Sequence, residues 1–298
     1  MSIICTENLS RHYGRRVGVD AINLDVGAGE IFGFLGPNGA GKTTTIRLLL
    51  GFLQPNCGRA SLFGLDCWRQ SALAKRDVGY LPGDLRLYPW LTASKALHIF
   101  GEIRGVDLRE RGYELAERFR LEMDVRVQKM SRGMRQKLGI ILALAHKPKV
   151  LILDEPTSGL DPLMQEELTC AIRELAAEGH TVFFSSHTLS EVESLCDRVA
   201  IVREGQIVAD ERLETLRSRA LRAVELVYSD EDTAERVELP SYLRLVIRYG
   251  SRCHCELDGP TPPLVQWAAG QPLADITVGA PDLGSLFHKY YQSPGDLP

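Results

Sequence analysis

A long hydrophobic run is absent from this sequence of 298 residues. The longest apolar stretches, such as Ile140 to Ala145 and Val150 to Leu153, are far shorter than the roughly 20 residues of a membrane-spanning helix. A signal-peptide pattern is also absent, because Met1 to Ile4 leads directly into a predicted strand. We therefore expect a cytoplasmic protein that would depend on another polypeptide for any path across a membrane.

An excess of positive charge is missing as well. The formal net charge is −4, which leaves no basic surface of the kind that binds nucleic acid. The seven cysteines are scattered and odd in number, as expected in a reducing compartment rather than in a disulfide scaffold. In the cluster Cys253-His254-Cys255, a strand would place the two thiols on one face and His254 on the other. We interpret these cysteines as core residues and not as metal ligands.

What the sequence does contain is a complete phosphate-binding loop, the Walker A motif. The residues that match Gly-x-x-x-x-Gly-Lys-Thr are Gly36, Pro37, Asn38, Gly39, Ala40, Gly41, Lys42 and Thr43, and Thr44 follows them. An apolar strand precedes the motif and a predicted helix follows it, which is the context in which such a loop binds nucleotide. Its glycines allow backbone N–H groups to surround phosphates at a helix N-terminus. Lys42 is expected to reach the β- and γ-phosphates, and the Thr43 hydroxyl to bind Mg2+.

A second motif supplies two adjacent carboxylates. The apolar run Val150 to Leu153 is typical of a central parallel strand buried on both faces, and Asp154 and Glu155 follow it directly. We predict that Asp154 holds Mg2+ through a water molecule. Glu155 is the candidate general base, because hydrolysis needs an oriented water beside the γ-phosphate. The two motifs together predict a nucleoside triphosphatase.

Four further motifs occur in the order that one family shows. They are Tyr13, Ser131-Arg132-Gly133, Ser158-Gly159-Leu160-Asp161 and His187. Together with the two phosphate-site motifs, they resemble the ATP-binding subunit of an ATP-binding-cassette (ABC) transporter over most of the chain. The resemblance implies an α/β fold, the P-loop NTPase ABC cassette, with ATP and Mg2+ as cofactors.

The same resemblance assigns roles to these residues. Tyr13 would stack on adenine, and His187 would hydrogen-bond the γ-phosphate and help hold Glu155 and the attacking water. In this family two subunits meet head to tail, so Ser131 and Gly133 would contact the γ-phosphate bound to a second ATP-binding subunit. We expect that subunit to be another copy of this chain. The other implied partner is an integral-membrane permease, which would place the chain peripherally at the cytoplasmic face of the cell membrane.

Two regions depart from the family pattern. The signature motif usually reads Leu-Ser-Gly-Gly-Gln, and here Met130, Arg132 and Met134 replace three of its five residues. Gly83 stands where the family usually has a Gln or Glu that binds Mg2+, which leaves open whether Asp84 substitutes for it. Both departures resemble the branch that exports drugs, antibiotics or lipids. The alternatives are a soluble ABC-class ATPase without a transport role, a degenerate ATP-binding partner and an importer ATPase.

The predicted elements divide the chain into two domains. Residues 1–218 are predicted to form the ABC ATP-binding domain, with an antiparallel β subdomain at its start and an inserted helical subdomain at about residues 84–145. Residues 219–298 are predicted to form a small α+β C-terminal accessory domain that ends in a segment from Pro281 to Tyr291. This domain is interpreted as a dimerisation or docking module, with a stabilising appendage as the alternative.

An apolar loop follows Gly83 and Asp84. Its apolar residues are Leu85, Leu87, Tyr88, Pro89 and Trp90. Exposed apolar patches usually mark partner surfaces, so the hypothesis is that this loop lines the groove that receives the permease. The alternative is that these side chains pack inside the helical subdomain.

Overall fold

The structure of the chain, a computed structural model, describes residues 2–284 and residue 287. It divides into two compact units, residues 1–210 and residues 211–298. The division falls a little before the predicted domain boundary after residue 218, and that boundary stays a prediction. Within the described residues, no helix combines the length and the apolar character needed to cross a bilayer.

An antiparallel sheet opens the first unit. Its four strands, in the order β2-β1-β4-β5 across the sheet, are β1 (Ser2–Tyr13), β2 (Arg16–Gly27), β4 (Cys57–Leu62) and β5 (Leu65–Asp66). The long hairpin of β1 and β2 buries apolar residues such as Ile4 and Ile22 on its inner face, as expected of an antiparallel sheet with one solvated face. The predicted antiparallel subdomain is present, and Tyr13 is the last residue of β1, paired with Arg16 across the turn.

A second sheet of six strands forms the centre of this unit. In the order β10-β9-β3-β8-β7-β6 it contains β3 (Ile31–Leu35), β6 (Val78–Leu81), β7 (Val150–Asp154), β8 (Thr181–Ser186), β9 (Arg198–Arg203) and β10 (Gln206–Arg212). The strands from β9 to β6 are parallel, and β3, β7 and β8 are buried throughout. Because parallel strands bind ligands outside their carboxyl ends, this topology brings the ends of β3, β7 and β8 to one edge.

Helices cover the central sheet and join it to the antiparallel one. The helices of the sheet region are α1 (Lys42–Leu49), α2 (Ser71–Ala74), α6 (Pro162–Ala177) and α7 (Leu189–Leu195). Buried residues of α1, including Ile46 and Leu49, share one continuous core with both sheets. At the middle of that core the Phe183 ring lies 5.7 Å from the Phe32 ring and 5.4 Å from the Phe34 ring.

The predicted helical subdomain lies between β6 and β7. It contains α3 (Ala93–Arg104), α4 (Arg109–Arg118), a short 3-10 helix (Val127–Lys129) and α5 (Arg132–Leu144). Local capping residues set both ends of α3. The Thr92 side chain caps its N-terminus by accepting from the Lys95 N–H, and Gly105, with φ 69°, ends the helix. Ser131 caps α5 in the same way, which places the signature residues at a helix N-terminus.

The second unit is a sheet packed against helices. Its elements are α8 (Leu213–Arg219), β11 (Arg222–Tyr228), α9 (Glu231–Arg236), β12 (Leu243–Tyr249), β13 (Arg252–Leu257), α10 (Thr261–Ala268) and β14 (Leu273–Pro281). The sheet order β12-β13-β11-β14, with all neighbours antiparallel, is that of a split β-α-β (ferredoxin-like) unit. Cys253 and Cys255 are buried in its core while His254 is half-exposed, as the alternation predicts. The predicted segment from Pro281 to Tyr291 lies largely outside the described residues.

Candidate nucleotide-binding and hydrolysis site

The Walker A loop connects the end of β3 to the start of α1. Its geometry requires glycine at position 41 for two reasons. Gly41 has a left-handed φ of 110°. A Cβ at this position would also lie only 2.6 Å from the Gly18 carbonyl oxygen. Thr45 N donates to the Gly41 carbonyl at 2.9 Å, so helical pairing begins there. The N–H groups of the first turn have no partner within the helix, and together with the helix dipole they suit an anion.

A cavity of about 390 Å³ lies in front of this loop. Its lining residues are Tyr13, Arg16, Val17, Gly18, Asn38, Gly39, Gly41, Lys42, Thr43, Thr44, Arg47 and Glu155. The Tyr13 ring closes over Gly18, where a Cβ would lie 2.7 Å from the ring, and the Arg11 guanidinium carbon is 5.3 Å from the ring centroid. Tyr13 remains 42% exposed, so an aromatic face is available beside the phosphate loop.

Lys42 is a charged residue of the cavity wall, and only 5% of it is exposed. Its Nζ donates to the carbonyls of Gly36, at 2.6 Å, and Pro37, at 3.2 Å, and lies 3.3 Å from Glu155 Oε1. A buried ammonium is costly unless it is hydrogen-bonded and paired, and these three oxygens satisfy it. The arrangement holds a positive charge ready for a phosphate.

Thr43 and Asp154 lie together as the sequence predicts. The Thr43 hydroxyl donates to Asp154 Oδ2 at 2.8 Å, and the Ser185 hydroxyl donates to Oδ1 at 2.7 Å. Asp154 is 2% exposed, and its carboxylate, together with burial as the larger cause, raises the pKa of Tyr80 to about 12. A hydroxyl and a carboxylate at one point are the hard oxygen donors that Mg2+ prefers, so these residues fit the ion.

Glu155 follows β7 in an unusual backbone conformation, with φ 50°. Left-handed backbone at a non-glycine residue costs roughly 1–3 kcal/mol and is concentrated at functional sites. The Glu155 N–H donates to the Ser185 carbonyl at 3.1 Å, which fixes the turn. His187 Nδ1 lies 3.4 Å from Glu155 Oε1, so the two predicted catalytic side chains are in contact.

The signature residues lie away from this cavity. Ser131 accepts from the Met134 N–H at 3.2 Å, and neither Ser131 nor Gly133 is among the residues that line the cavity. Gly133 and Arg132 contact the loop after Glu155 instead: a Cβ at Gly133 would lie 2.8 Å from the Gly159 carbonyl, and Arg132 Nη2 donates to the Ser158 hydroxyl at 2.5 Å. The structure therefore does not bring Ser131 and Gly133 to the Walker A loop of the same chain.

The loop after β6 shows how the Gly83 departure is accommodated. A Cβ at Gly83 would lie 3.3 Å from the Asp154 carbonyl and 3.6 Å from Asp154 Oδ2, so a side chain here would reach the proposed Mg2+ position. Asp84 lines the neighbouring cavity, but its Oδ2 pairs with Arg86 Nη2 at 2.8 Å and both side chains are exposed. The Asp84 carboxylate is thus paired with Arg86 at the wall of a cavity that Asp154 also lines.

Sequence reasoning missed several residues of the site. Arg16 and Arg47 add two cations to the cavity wall, and Gln136 donates to the buried Pro156 carbonyl at 2.8 Å. Ser185 could have been found, because it is the next-to-last residue of β8, a strand parallel to β7, and is in register with Asp154. Gln136 has no sequence signal of this kind, since it meets the loop after Glu155 through a tertiary contact. Arg47 lies on α1 one turn after Thr43, and Arg16 lies three residues after Tyr13, so local spacing could have found both.

The fold and the site define an ATPase of the ABC cassette class. A family model described as ABC transporter matches residues 19–158. The chain is 41% identical over 236 residues to the bacitracin transport ATP-binding protein BcrA of Bacillus licheniformis, covering 78% of this chain and 77% of that protein. It is 36% identical over 266 residues to the Nod factor export ATP-binding protein I of Ralstonia nicotianae, covering 87% and 83%.

A solved structure agrees with these relatives. The ATP-binding subunit of an ABC transporter superimposes with a TM-score of 0.69 at 30% identity, covering 72% of this chain and 92% of that one. The chain belongs to the family of ABC transporter ATP-binding proteins, and it is an ATP-hydrolysing subunit. The sequence-based prediction of family, fold and ATPase activity is confirmed.

Proposed function

We propose that this chain powers export of a substrate through a separate membrane permease. The support is twofold: the relatives include ATP-binding proteins named for bacitracin transport and for Nod factor export, and Tyr88 and Trp90 of the apolar loop before α3 are exposed. The observation that carries the ATPase part is the contact of Glu155 with both Lys42 and His187 beside the Walker A cavity.

ATP binding would use the cavity as follows. The N–H groups of the Walker A loop and the Lys42 ammonium bind the phosphates, and the exposed face of Tyr13 stacks on adenine. Thr43 and Asp154 would hold Mg2+, whose charge offsets that of the phosphate oxygens when it is bound. The γ-phosphate takes the place of the Glu155 carboxylate beside Lys42, which frees Glu155 to accept a proton.

Hydrolysis would then depend on Glu155 and His187. Glu155 accepts the proton of the attacking water, and His187 contacts both the γ-phosphate and the Glu155 carboxylate. The strained backbone at Glu155 aims its side chain at the cavity and not along the continuation of β7. Water attack breaks the bond between the γ-phosphorus and the bridging oxygen, and yields ADP and phosphate.

The signature residues would act on the ATP of a second copy of this chain. Ser131 is exposed at the N-terminus of α5 and outside its own cavity, a position from which a helix N-terminus can bind a phosphate presented by another subunit. A head-to-tail homodimer supplies that phosphate and gives two composite sites. Gly133, which has no side chain, leaves its backbone N–H open to the same phosphate.

The permease would dock on the loop that follows β6. Tyr88 is 69% exposed and Trp90 is 54% exposed, and their rings stack at 6.0 Å with an interplanar angle of 25°. Leu85 and Leu87 of the same loop are half-buried. An exposed apolar patch of this kind usually marks a partner surface, and a short apolar helix of a membrane protein would suit the two rings. Docking there places the chain at the cytoplasmic face of the membrane.

The test replaces the exposed rings one at a time. Tyr88→Ala and Trp90→Ala should leave the ATPase rate of the isolated chain unchanged, because neither ring lines the nucleotide cavity. Each should weaken copurification of the permease from detergent-solubilised membranes of the native host. Tyr113→Ala, also a half-exposed aromatic of the helical subdomain, is the matched control and should copurify normally. Loss of melting temperature in the first two variants would mean that the rings serve folding, and normal copurification would contradict the docking proposal.

A further inference from the structure

A glutamate in the first turn of α7 connects two loops of the hydrolysis site. The Glu191 carboxylate accepts a hydrogen bond at each oxygen, Oε1 from the Thr157 hydroxyl at 2.7 Å and Oε2 from the Ser186 hydroxyl. Thr157 lies shortly after Glu155, and Ser186 directly precedes His187. One side chain therefore joins the loop that carries the proposed base to the loop that carries the proposed switch histidine.

The Ser186 end of this bridge is rigid. Ser186 is 1% exposed, and its hydroxyl accepts from the Thr188 N–H at 2.8 Å. Its carbonyl accepts from the N–H of Gly36, the first residue of the Walker A loop, at 3.2 Å. The backbone on the N-terminal side of His187 is thus held to the phosphate loop, and the Glu191 carboxylate orients the Ser186 side chain within that arrangement.

The Thr157 end controls the turn after Glu155. The Glu155 carbonyl accepts from the Ser158 N–H at 3.3 Å, and the Thr157 carbonyl accepts from the Leu160 N–H at 3.0 Å. These backbone bonds close the turn, yet Glu155 still adopts φ 50°. A strained residue persists only where its surroundings over-determine it, and the bond from Thr157 to Glu191 is one of those constraints.

We propose that Glu191 is a positioning residue for ATP hydrolysis, whose carboxylate sets the spacing between Glu155 and His187. The proposal rests on the proposed roles of those two residues, which lie 3.4 Å apart from Oε1 to Nδ1. Glu191 does not line the Walker A cavity, so its loss acts on turnover and not on nucleotide affinity. Displacing a reacting group by about 1 Å costs up to roughly a hundredfold in rate.

The first experiment compares three variants of the full chain. Glu191→Ala should lower kcat by roughly tenfold to a hundredfold while leaving the Kd for ATP and the melting temperature close to the parent values. Glu191→Gln keeps one carbonyl acceptor and an amide that can donate to the other hydroxyl, so it should recover most of kcat. Ser194→Ala is the matched control, because it removes a 2.9 Å hydrogen bond to the Glu191 carbonyl of the same helix and leaves the carboxylate pairing intact.

A double-mutant comparison separates positioning from general stabilisation. If Glu191 acts through His187, adding Glu191→Ala to a His187→Ala chain should lower the single-turnover rate by less than about threefold, because coupled residues are not additive. Fully additive losses, or a parent-like kcat in Glu191→Ala, would overturn the proposal. Should Glu191→Ala fail to fold, Thr157→Val removes the same hydrogen bond without removing the carboxylate, and it should lower kcat in the same direction.

The same assays keep this inference distinct from the proposed catalytic roles. If Glu155→Gln and His187→Ala turn over normally, the roles assigned to Glu155 and His187 are wrong, and the positioning proposal fails with them. If those two variants are slow while Glu191→Ala matches the parent, only the positioning proposal fails.

Discussion

Replacing Glu155 with Gln changes one charge at the site and almost no volume. Glu155 Oε1 lies 3.3 Å from Lys42 Nζ and 3.4 Å from His187 Nδ1, so the substitution acts on both the cation proposed to bind phosphate and the proposed switch histidine. The Gln amide can still hydrogen-bond a water molecule, but it cannot take the proton of that water. Turnover should therefore fall while ATP binding persists.

The structure bounds both effects. Loss of a general base typically lowers a rate by about 10² to 10⁴-fold, which is about 3–5.5 kcal/mol of barrier. For binding, the Glu155 carboxylate competes with phosphate for the Lys42 ammonium, which lies 3.3 Å away. The attraction between these two charges is at most about 5 kcal/mol at an effective dielectric constant of about 20. Lys42 keeps its bonds to the Gly36 and Pro37 carbonyls, so the substitution removes a competitor without releasing the ammonium. ATP affinity should stay the same or rise.

Three measurements test this prediction. Phosphate release should fall into the predicted range, calorimetry should show an unchanged or lower Kd for ATP, and size-exclusion chromatography with ATP should show a dimer that accumulates because it cannot hydrolyse. Glu178→Gln, at an exposed carboxylate outside the cavity, is the control and should match the parent in all three. Turnover within about threefold of the parent would refute the base assignment, and clearly weaker ATP binding would refute the reasoning about Lys42.

Two further predictions concern the dimer and the pH dependence of stability. Mixing a Ser131→Arg chain with a Lys42→Ala chain should restore part of the ATPase rate relative to either variant alone, because one composite site of each mixed dimer stays intact; no recovery in demonstrated mixed dimers would contradict action in trans. Burial lowers the pKa of His146, whose Nε2 lies 3.2 Å from the Val78 carbonyl, from 6.5 to about 4. The unfolded chain therefore binds the proton first, and stability should fall as pH drops from about 6.5 to about 4, by at most about 3 kcal/mol and by less where water reaches the ring. Urea unfolding of His146→Gln should show a smaller loss between pH 7 and pH 5, and an unchanged loss would exclude this imidazole as the cause.

The sequence predicts the residues of the phosphate site itself, but it does not predict the more distant residues that hydrogen-bond to them. The Walker A loop and the Asp154 strand are local patterns, in which glycine conformation and apolar strand composition act over a few residues, and both have the predicted structure. Ser185 and Gln136 lie far from Asp154 along the chain, and they reach the site because parallel strands and a packed helix bring them there. No local pattern encodes those distances.

The departures from the family pattern divide in the same way. The absence of a side chain at Gly83 is plain in the sequence, but the sequence leaves open whether Asp84 replaces it. The structure pairs the exposed Asp84 carboxylate with Arg86, a side-chain contact that the sequence alone did not predict. Likewise, Arg132 replaces a glycine of the signature motif, and only the fold shows that its guanidinium donates to Ser158.

By itself, the sequence determined the Walker A loop and the buried strand before Asp154, because both depend on short-range backbone chemistry and strand periodicity. The ordered set of motifs gave the family and its fold by resemblance. Only the tertiary structure decided which side chains meet. It brought His187 against Glu155, joined their loops through Glu191, left Tyr88 and Trp90 in solvent, and kept Ser131 out of its own nucleotide cavity. The physical reason is that hydrogen bonds and ion pairs act over a few ångströms, and the chain reaches those separations between distant residues only when the two sheets and the helices pack on one core.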